Sequence, residues 1–295
     1  MRLIFDPVRD GLGAIEAASS QLAKAQQQLS SGKRIAGAGD DPFAIQQAIG
    51  ERASIGAIDA YSRANQSAAS RLAAIDNVLT GMSDKLTAVS VAGLSARGDH
   101  VSASARAAAA EQVRSLREAL LTDVNSSFQG SHLFAGTNVD QPPYVQAGGV
   151  WTYQGNNNVT RVDVDRGRTV AITVDGQQIV QGGDASDLFT TLDSLAAAIE
   201  AGDSAGIQAG IDAVERVFSR TQRAIGSLGA DERSLDESTM RLSTLRRAAE
   251  ARRSSLEDVN MAEAATRMSQ ADTAYRAALA AVSTAERQSL LDYLR

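Results

Sequence analysis

The stretch AASRLAAIDNVLTGMSDKLTAV, Ala68–Val89, decides the fold class. Its residues Ala68, Leu72, Ile75, Leu79, Met82, Leu86 and Val89 recur at intervals of 4, 3, 4, 3, 4 and 3. That alternation is the repeat of helices packed side by side; a strand would alternate every second residue. The pattern extends both ways and predicts one helix over residues 43–97, a rod roughly 80 Å long at about 1.5 Å per residue. Gly81 and Gly93 weaken this helix without breaking it.

Upstream, residues 1–11 hold Pro7 and Gly11 and read as a short extended leader. A helix follows over residues 13–31, where Ile15, Leu22 and Leu29 fall seven apart with Ala18 and Ala25 between them. Gly32 suits its end, because glycine tolerates the left-handed conformation there. GKRIAGAGDDP, residues 32–42, is a loop. Asp41 followed by Pro42 then restarts the chain as a helix, with Asp at the cap and Pro at the first helical position. A cap plus a carboxylate that compensates the helix dipole is the expected role of the Asp40–Asp41 pair, ahead of a metal or catalytic role.

Downstream, residues 96–104 form a turn, and a helix over residues 104–128 carries Val113, Leu116, Leu120 and Val124. The character then changes. Residues 131–185 are punctuated by Gly, Asn and Pro and hold the only Trp, Trp151. Val162 and Val164 alternate with Asp163 and Asp165, and Val170, Ile172 and Val174 alternate up to Asp175-Gly176, a two-residue hairpin signal. This predicts a β insert of four or five short strands that leans on the helices beside it. Helices resume over residues 186–201 and 204–252, with Gly226 and Gly229 as a flexible point. In the last, over residues 254–295, Met261, Met268, Tyr275 and Val282 fall seven apart. Ala264, Ala271, Ala278 and Ala285 occupy the matching positions, and the chain ends with Leu290, Leu291 and Leu294.

The fold class is therefore mainly α with a small β insert: an elongated antiparallel helical bundle of N- and C-terminal rods, with a β-rich tip in the middle of the chain. Three domains are expected. Residues 1–42 and 254–295 form a terminal helical domain, 43–130 and 186–253 a helical rod, and 131–185 a small β domain. The terminal helices meet through alanine, which forgoes about 0.8 kcal/mol for each methylene that a leucine would bury. Ordering costs about 1–2 kcal/mol per backbone residue, so such helices pack best against further neighbours. The expected assembly surface is Ile15, Leu22, Leu29, Met261, Met268, Tyr275, Val282, Leu290, Leu291 and Leu294.

Composition removes several classes of function. There is no Cys, which excludes disulfides, Cys-ligated zinc, iron–sulfur clusters and a cysteine nucleophile. Two His leave little for a His-rich metal site, and His100 and His132 have no evident partners in sequence. A net charge of −6 argues against nucleic-acid binding. No apolar run is long enough to cross a bilayer. The apolar run Leu3–Phe5 is too short for a secretory signal peptide. No phosphate-binding loop, dinucleotide fingerprint or nucleophile elbow is present. The arginines at 241, 246, 247, 252 and 253 lie among acidic residues and read as a solvated, ion-paired face. Neither an enzyme nor a cofactor is expected. A cytoplasmic signalling rod would have a helical hairpin at its middle, and the insert with Trp151 counts against it.

One segment carries a family resemblance. LSSGKRIAGAGDDPFAIQQA, Leu29–Ala48, resembles the N-terminal signature of the bacterial flagellin superfamily. There a helix ends in S-S-G or S-T-G, followed by a basic–apolar pair and D-D-P or D-D-A. Ser31, Gly32, Asp40, Asp41 and Pro42 carry the match. The C-terminal heptads and apolar end are similar, so the likeness spans about two-thirds of the chain. The insert matches loosely, and the leader MRLIFDPVRDGLG departs from the family's opening. Asp40-Asp41-Pro42-Phe43-Ala44 and GSHLFAGTNVDQPPY, residues 130–144, resemble the branch that joins hook to filament more than the filament subunit. The resemblance implies a structural, extracellular component of the flagellum, exported without a cleavable signal peptide through the flagellar type III channel. Its implied partners are the first hook-associated protein, flagellin, an export chaperone before secretion, and itself in a ring of about eleven subunits. No nucleic acid and no membrane is implied. A flagellin filament subunit is the alternative.

Overall fold

The heptad pattern folds as helices wherever glycine and proline permit. Among residues 7–293, which the computed structural model describes apart from positions 36, 38 and 99, there are seven helices and six short strands. The helices are α1 (Pro7–Ser31), α2 (Pro42–Ser95), α3 (Ala103–Val124), α4 (Gly176–Val180), α5 (Leu188–Ala201), α6 (Ser204–Glu257) and α7 (Met261–Tyr293). The strands are β1 (Ser127–Phe128), β2 (Ser131–His132), β3 (Tyr144–Ala147), β4 (Val150–Tyr153), β5 (Arg161–Asp165) and β6 (Arg168–Ala171). The fold is mainly α with a small β insert, as the sequence pattern predicts.

Three local expectations are corrected. Helix α1 begins at Pro7, so the leader is shorter than eleven residues; a proline fits the first helical turn, where its missing N–H costs nothing. Five strands lie within residues 131–185, within the four or five expected there, with β1 just upstream, and the six form three separate antiparallel hairpins, β1–β2, β3–β4 and β5–β6. Asp175-Gly176 does not turn a hairpin: Asp175 caps α4 by accepting from the Gln178 N–H at 3.1 Å. The aspartate's capping preference wins over its turn preference there. Gly226 and Gly229 lie inside an unbroken α6.

The described residues divide into two compact units, Met1–Ala57 with Thr244–Arg295, and Ile58–Ser243. In the second, Leu72, Ile75, Leu79, Met82, Leu86 and Val89 of α2 are fully buried. They join Val113 and Leu120 of α3, Leu192, Leu195 and Ile199 of α5, and Ile211, Val214 and Leu228 of α6 in one core. These α2 residues are the 4-3 stripe of Ala68–Val89. Burying one such leucine is worth about 1.5–3 kcal/mol.

Polar side chains fasten the insert to these helices. Arg71 of α2 donates to the carbonyls of Ile172 (3.0 Å) and His132 (3.1 Å). Asn125 pairs with the backbone of Tyr144 at both its N–H (2.9 Å) and its C=O (2.8 Å), standing in for a neighbouring strand. The rings of Tyr144 and Tyr153, Tyr144 and Phe189, and Trp151 and Phe189 meet tilted or edge-on with centroids 5.2 Å apart, which ties β3 and β4 to α5.

The insert closes around Phe134–Ala135. Tyr153 Oη donates to the Phe134 carbonyl at 2.9 Å, and Ala135 bridges Asp175. Two glycines make this approach possible. A Cβ at Gly136 would lie 2.1 Å from the Asn156 carbonyl oxygen, and one at Gly176 would lie 2.4 Å from that of Phe134. The LFAG segment is therefore the node of the insert.

Candidate functional site

The first unit contains every position of the expected assembly surface. Within it α1 and α7 pack along one another. Lys33 bridges Asp258 beyond the C-terminal end of α1, and Gly11 meets Val282 near its N-terminal end, so the pair is antiparallel. A Cβ on Gly11 would lie 2.6 Å from Val282 Cγ2; only a glycine lets the helices come this close. Further along, Ala25, Ala264 and Ala271 are buried. The helices thus close on small residues. A cleft of about 400 Å³ runs between them, floored by Ala25 and Ala271 and edged by Gln21, Gln28 and Gln270.

The larger seam residues are left incompletely covered. Ile15, Leu22 and Leu29 of α1 and Met268 and Tyr275 of α7 are half-buried, whereas Val282 is buried. Met261 is 53% exposed at the first residue of α7, and Leu12 and Leu279 are exposed beside the seam. Leu290 and Leu291 fall within the bounds of α7, and Leu294 lies outside the described residues. Three large apolar residues on α1 and two on α7 at half cover are more apolar surface than a finished two-helix seam leaves open.

The signature loop has a structural job at each named residue. Gly32 takes φ +67°, ends α1, and accepts from the Val259 N–H at 3.0 Å. Ser31 Oγ accepts from the Lys33 N–H at 3.2 Å. Asp40 accepts from the Gly37 N–H (3.2 Å) and pairs with Lys24 (2.7 Å). Asp41 Oδ1 accepts from the Ala44 N–H at 3.0 Å, and Pro42 opens α2. That N–H, together with the Arg34 guanidinium, holds the Asp41 carboxyl below its ordinary range. Capping accounts for Asp41, whereas Asp40 closes the loop on Gly37 and Lys24.

Sequence reasoning missed what the loop binds. The segment after Gly32 pairs with the turn between α6 and α7. Arg34 N–H donates to the Glu257 carbonyl at 2.6 Å, and the Arg34 guanidinium donates to the Leu256 carbonyl at 2.7 Å. Lys33 Nζ lies 2.5 Å from Asp258 Oδ1 and 3.5 Å from Glu257 Oε2. Arg52 of α2 holds the other Glu257 oxygen at 2.8 Å, and Arg252 makes a two-point pair with Glu51 at 2.7 and 3.0 Å. The Lys33 ammonium depresses the Asp258 carboxyl, with help from Ser254, and Asp258 in turn raises Lys33. These partners lie more than 200 residues apart, beyond the reach of local pattern. The start of α7 differs from the expected residue 254: α6 runs on to Glu257, and Asn260 Oδ1, accepting from the Ala262 N–H at 3.0 Å, starts the helix at Met261, with an acid, Glu263, in the first turn.

Among the described residues no group of three or more His, Asp or Glu could hold a metal, and no helix is long and apolar enough to cross a membrane. What the arrangement offers is a helix pair with an apolar stripe and an ion-paired clasp at one end.

Comparison with known proteins points the same way. The chain is 27% identical over 202 residues to flagellar hook-associated protein 3 of Salmonella typhimurium, covering 64% of this chain and 63% of that protein. It is 25% identical over 205 residues to flagellar hook-associated protein 3 of Escherichia coli, covering 65% and 64%. The matches thus span less than two-thirds of those relatives' length. Among solved structures, a flagellar hook-associated protein from Vibrio parahaemolyticus superposes with a TM-score of 0.71 at 20% identity, covering 74% of this chain and all of that one. Xanthomonas campestris FlgL superposes with a TM-score of 0.63 at 17% identity, covering 69% and 99%. At these identities the structures establish a shared fold. Residues 12–139 match the bacterial flagellin N-terminal helical region and residues 211–294 the C-terminal helical region, which together take in both helices of the terminal pair. The chain belongs to the bacterial flagellin superfamily.

Proposed function

We propose that this protein is a structural, non-catalytic adaptor of the bacterial flagellum, joining the hook to the flagellin filament. The observation that carries the reading is the α1–α7 pair, which closes on alanine and leaves Ile15, Leu22, Leu29, Met268 and Tyr275 half-covered. An interface of this kind is completed by further helices of the same sort, supplied by copies of the chain in a ring of about eleven and by its neighbours above and below. Those neighbours are the first hook-associated protein on one side and flagellin on the other. Kinship with hook-associated protein 3 supports this choice within the superfamily. The chain reaches its place outside the cell unfolded, through the flagellar type III channel, held beforehand by a chaperone. The absence of Cys suits that route, since no disulfide has to open.

Deleting the gene tests the reading. Hooks without filaments, with unpolymerised flagellin shed into the medium, are the expected result. Hooks without filaments and without shed flagellin would make the chain the filament subunit. Filaments of normal number and length would refute both.

A further inference from the structure

Sulfur in this chain is thioether sulfur alone, in five methionines with no cysteine. Met82 lies in the buried stripe of α2, and Met240, on α6, is 70% exposed. Met261 and Met268 stand one heptad apart on α7, the first 53% exposed and the second half-buried. Ala264 and Ala271, three residues beyond each, are buried, so both methionines border the closed part of the seam. They belong to the apolar stripe that α1 and α7 leave incompletely covered. A long, unbranched, polarisable side chain suits such a border, because it adapts its shape to whatever helix packs next. The same exposure leaves the sulfur open to attack.

Hydrogen peroxide is the reagent such a sulfur takes. The sulfur lone pair attacks one peroxide oxygen; the S–O bond forms as the O–O bond breaks, and the second oxygen leaves as water with both peroxide protons. The thioether loses two electrons and becomes a sulfoxide, and the peroxide gains them. The product is polar and chiral where the parent was apolar and flexible. In the free chain this change is tolerated at Met261 and Met268, since neither is buried. Under a further helix the new oxygen would be buried, and a polar group buried without a hydrogen-bond partner is unfavourable. Met82 is out of reach of peroxide in the folded chain, and Met240 lies outside the terminal unit, so its oxidation leaves the stripe unchanged. We infer that Met261 and Met268 form a peroxide-modifiable site, at which sulfoxide leaves the monomer folded and blocks the packing of further helices on the stripe. This role rests on the stripe being the surface of assembly.

Peptide mass spectrometry of the full-length chain, briefly exposed to hydrogen peroxide, reads the site. Met261 and Met268 should gain oxygen at least about tenfold faster than buried Met82, with circular dichroism unchanged. Glutamine reproduces the size and polarity of a methionine sulfoxide, and leucine those of its apolar parent. In cells lacking the gene, the chain with Met261→Leu and Met268→Leu should support filaments in parent numbers. The chain with Met261→Gln and Met268→Gln should lower them about tenfold while keeping the parent melting temperature, and Met240→Gln should leave them unchanged. Three results would each overturn the inference: Met268 as unreactive as Met82, parent filament numbers on the double glutamine chain, or equal loss on both double variants, which would mean that the methionine shape matters and not its polarity. A lowered melting temperature in the glutamine chain would do the same, by making the pair a plain stabiliser. All of these leave the assembly reading standing, whereas normal filaments in cells lacking the gene altogether would refute that reading and this role with it.

Discussion

Lys33 and Asp258 give the terminal unit a definite pH window. Asp258 titrates below its ordinary 3.8 in the folded chain, because the Lys33 ammonium and Ser254 hydroxyl bond its carboxylate. Its contribution is present above that ordinary value and is lost as pH falls through the depressed one. Lys33 titrates above its ordinary 10.5 for the reciprocal reason, so its contribution is present below 10.5 and is lost as pH rises through the raised value. Lys33→Met should therefore lower the melting temperature of the terminal helices at neutral pH, and the gap to the parent should narrow below about pH 4. A gap independent of pH would show that the pair contributes through packing alone. Gly11 makes a second case. Gly11→Leu drives a side chain into Val282 and should cost about 1–3 kcal/mol by overpacking, read as a lower urea midpoint. Neither residue could have been chosen from sequence. Gly11 reads as a leader glycine, and Lys33 finds its partner 225 residues away.

At the scale of elements, the helices were legible because repetition averages out local exceptions. Seven apolar positions from Ala68 to Val89 outvote Gly81, and the same redundancy carries α6 through Gly226 and Gly229. The insert has no such redundancy. Its strands are two to five residues long, so a single side chain such as Asp175 can turn a hairpin signal into a helix cap. Its shape depends instead on contacts at Phe134–Ala135 that only tertiary structure supplies. Gly136 has φ +66° and faces the Asn156 carbonyl at contact distance, whereas Gly167 has φ +77° and open space around it. Gly167→Ala should cost about 1–2 kcal/mol, the conformational penalty alone, and Gly136→Ala distinctly more. Urea unfolding followed by the single Trp151 measures the difference. Equal costs would remove the LFAG segment from its role as the node of the insert.

For the molecule as a whole, the recognisable signature turned out to be the part that folds the terminal helices back on each other. Ser31, Gly32, Asp41 and Pro42 end one helix and begin the next, and the residues between them grip the turn before α7. The apolar seam was readable as a heptad stripe, but its incomplete cover was not, because exposure depends on how close the alanines let the helices come. We propose that this half-covered seam is the surface by which the protein joins hook to filament. Leu22 tests it most directly, being half-buried on α1 and remote from the clasp. A strain lacking the gene should be supplied with the chain carrying Leu22→Asp, and its hooks, filaments and medium inspected alongside the melting curve of the purified variant. The expected result is bare hooks and shed flagellin, with a variant that still folds and whose core of α2, α3, α5 and α6 melts at the parent temperature. Full-length filaments on Leu22→Asp cells would contradict it.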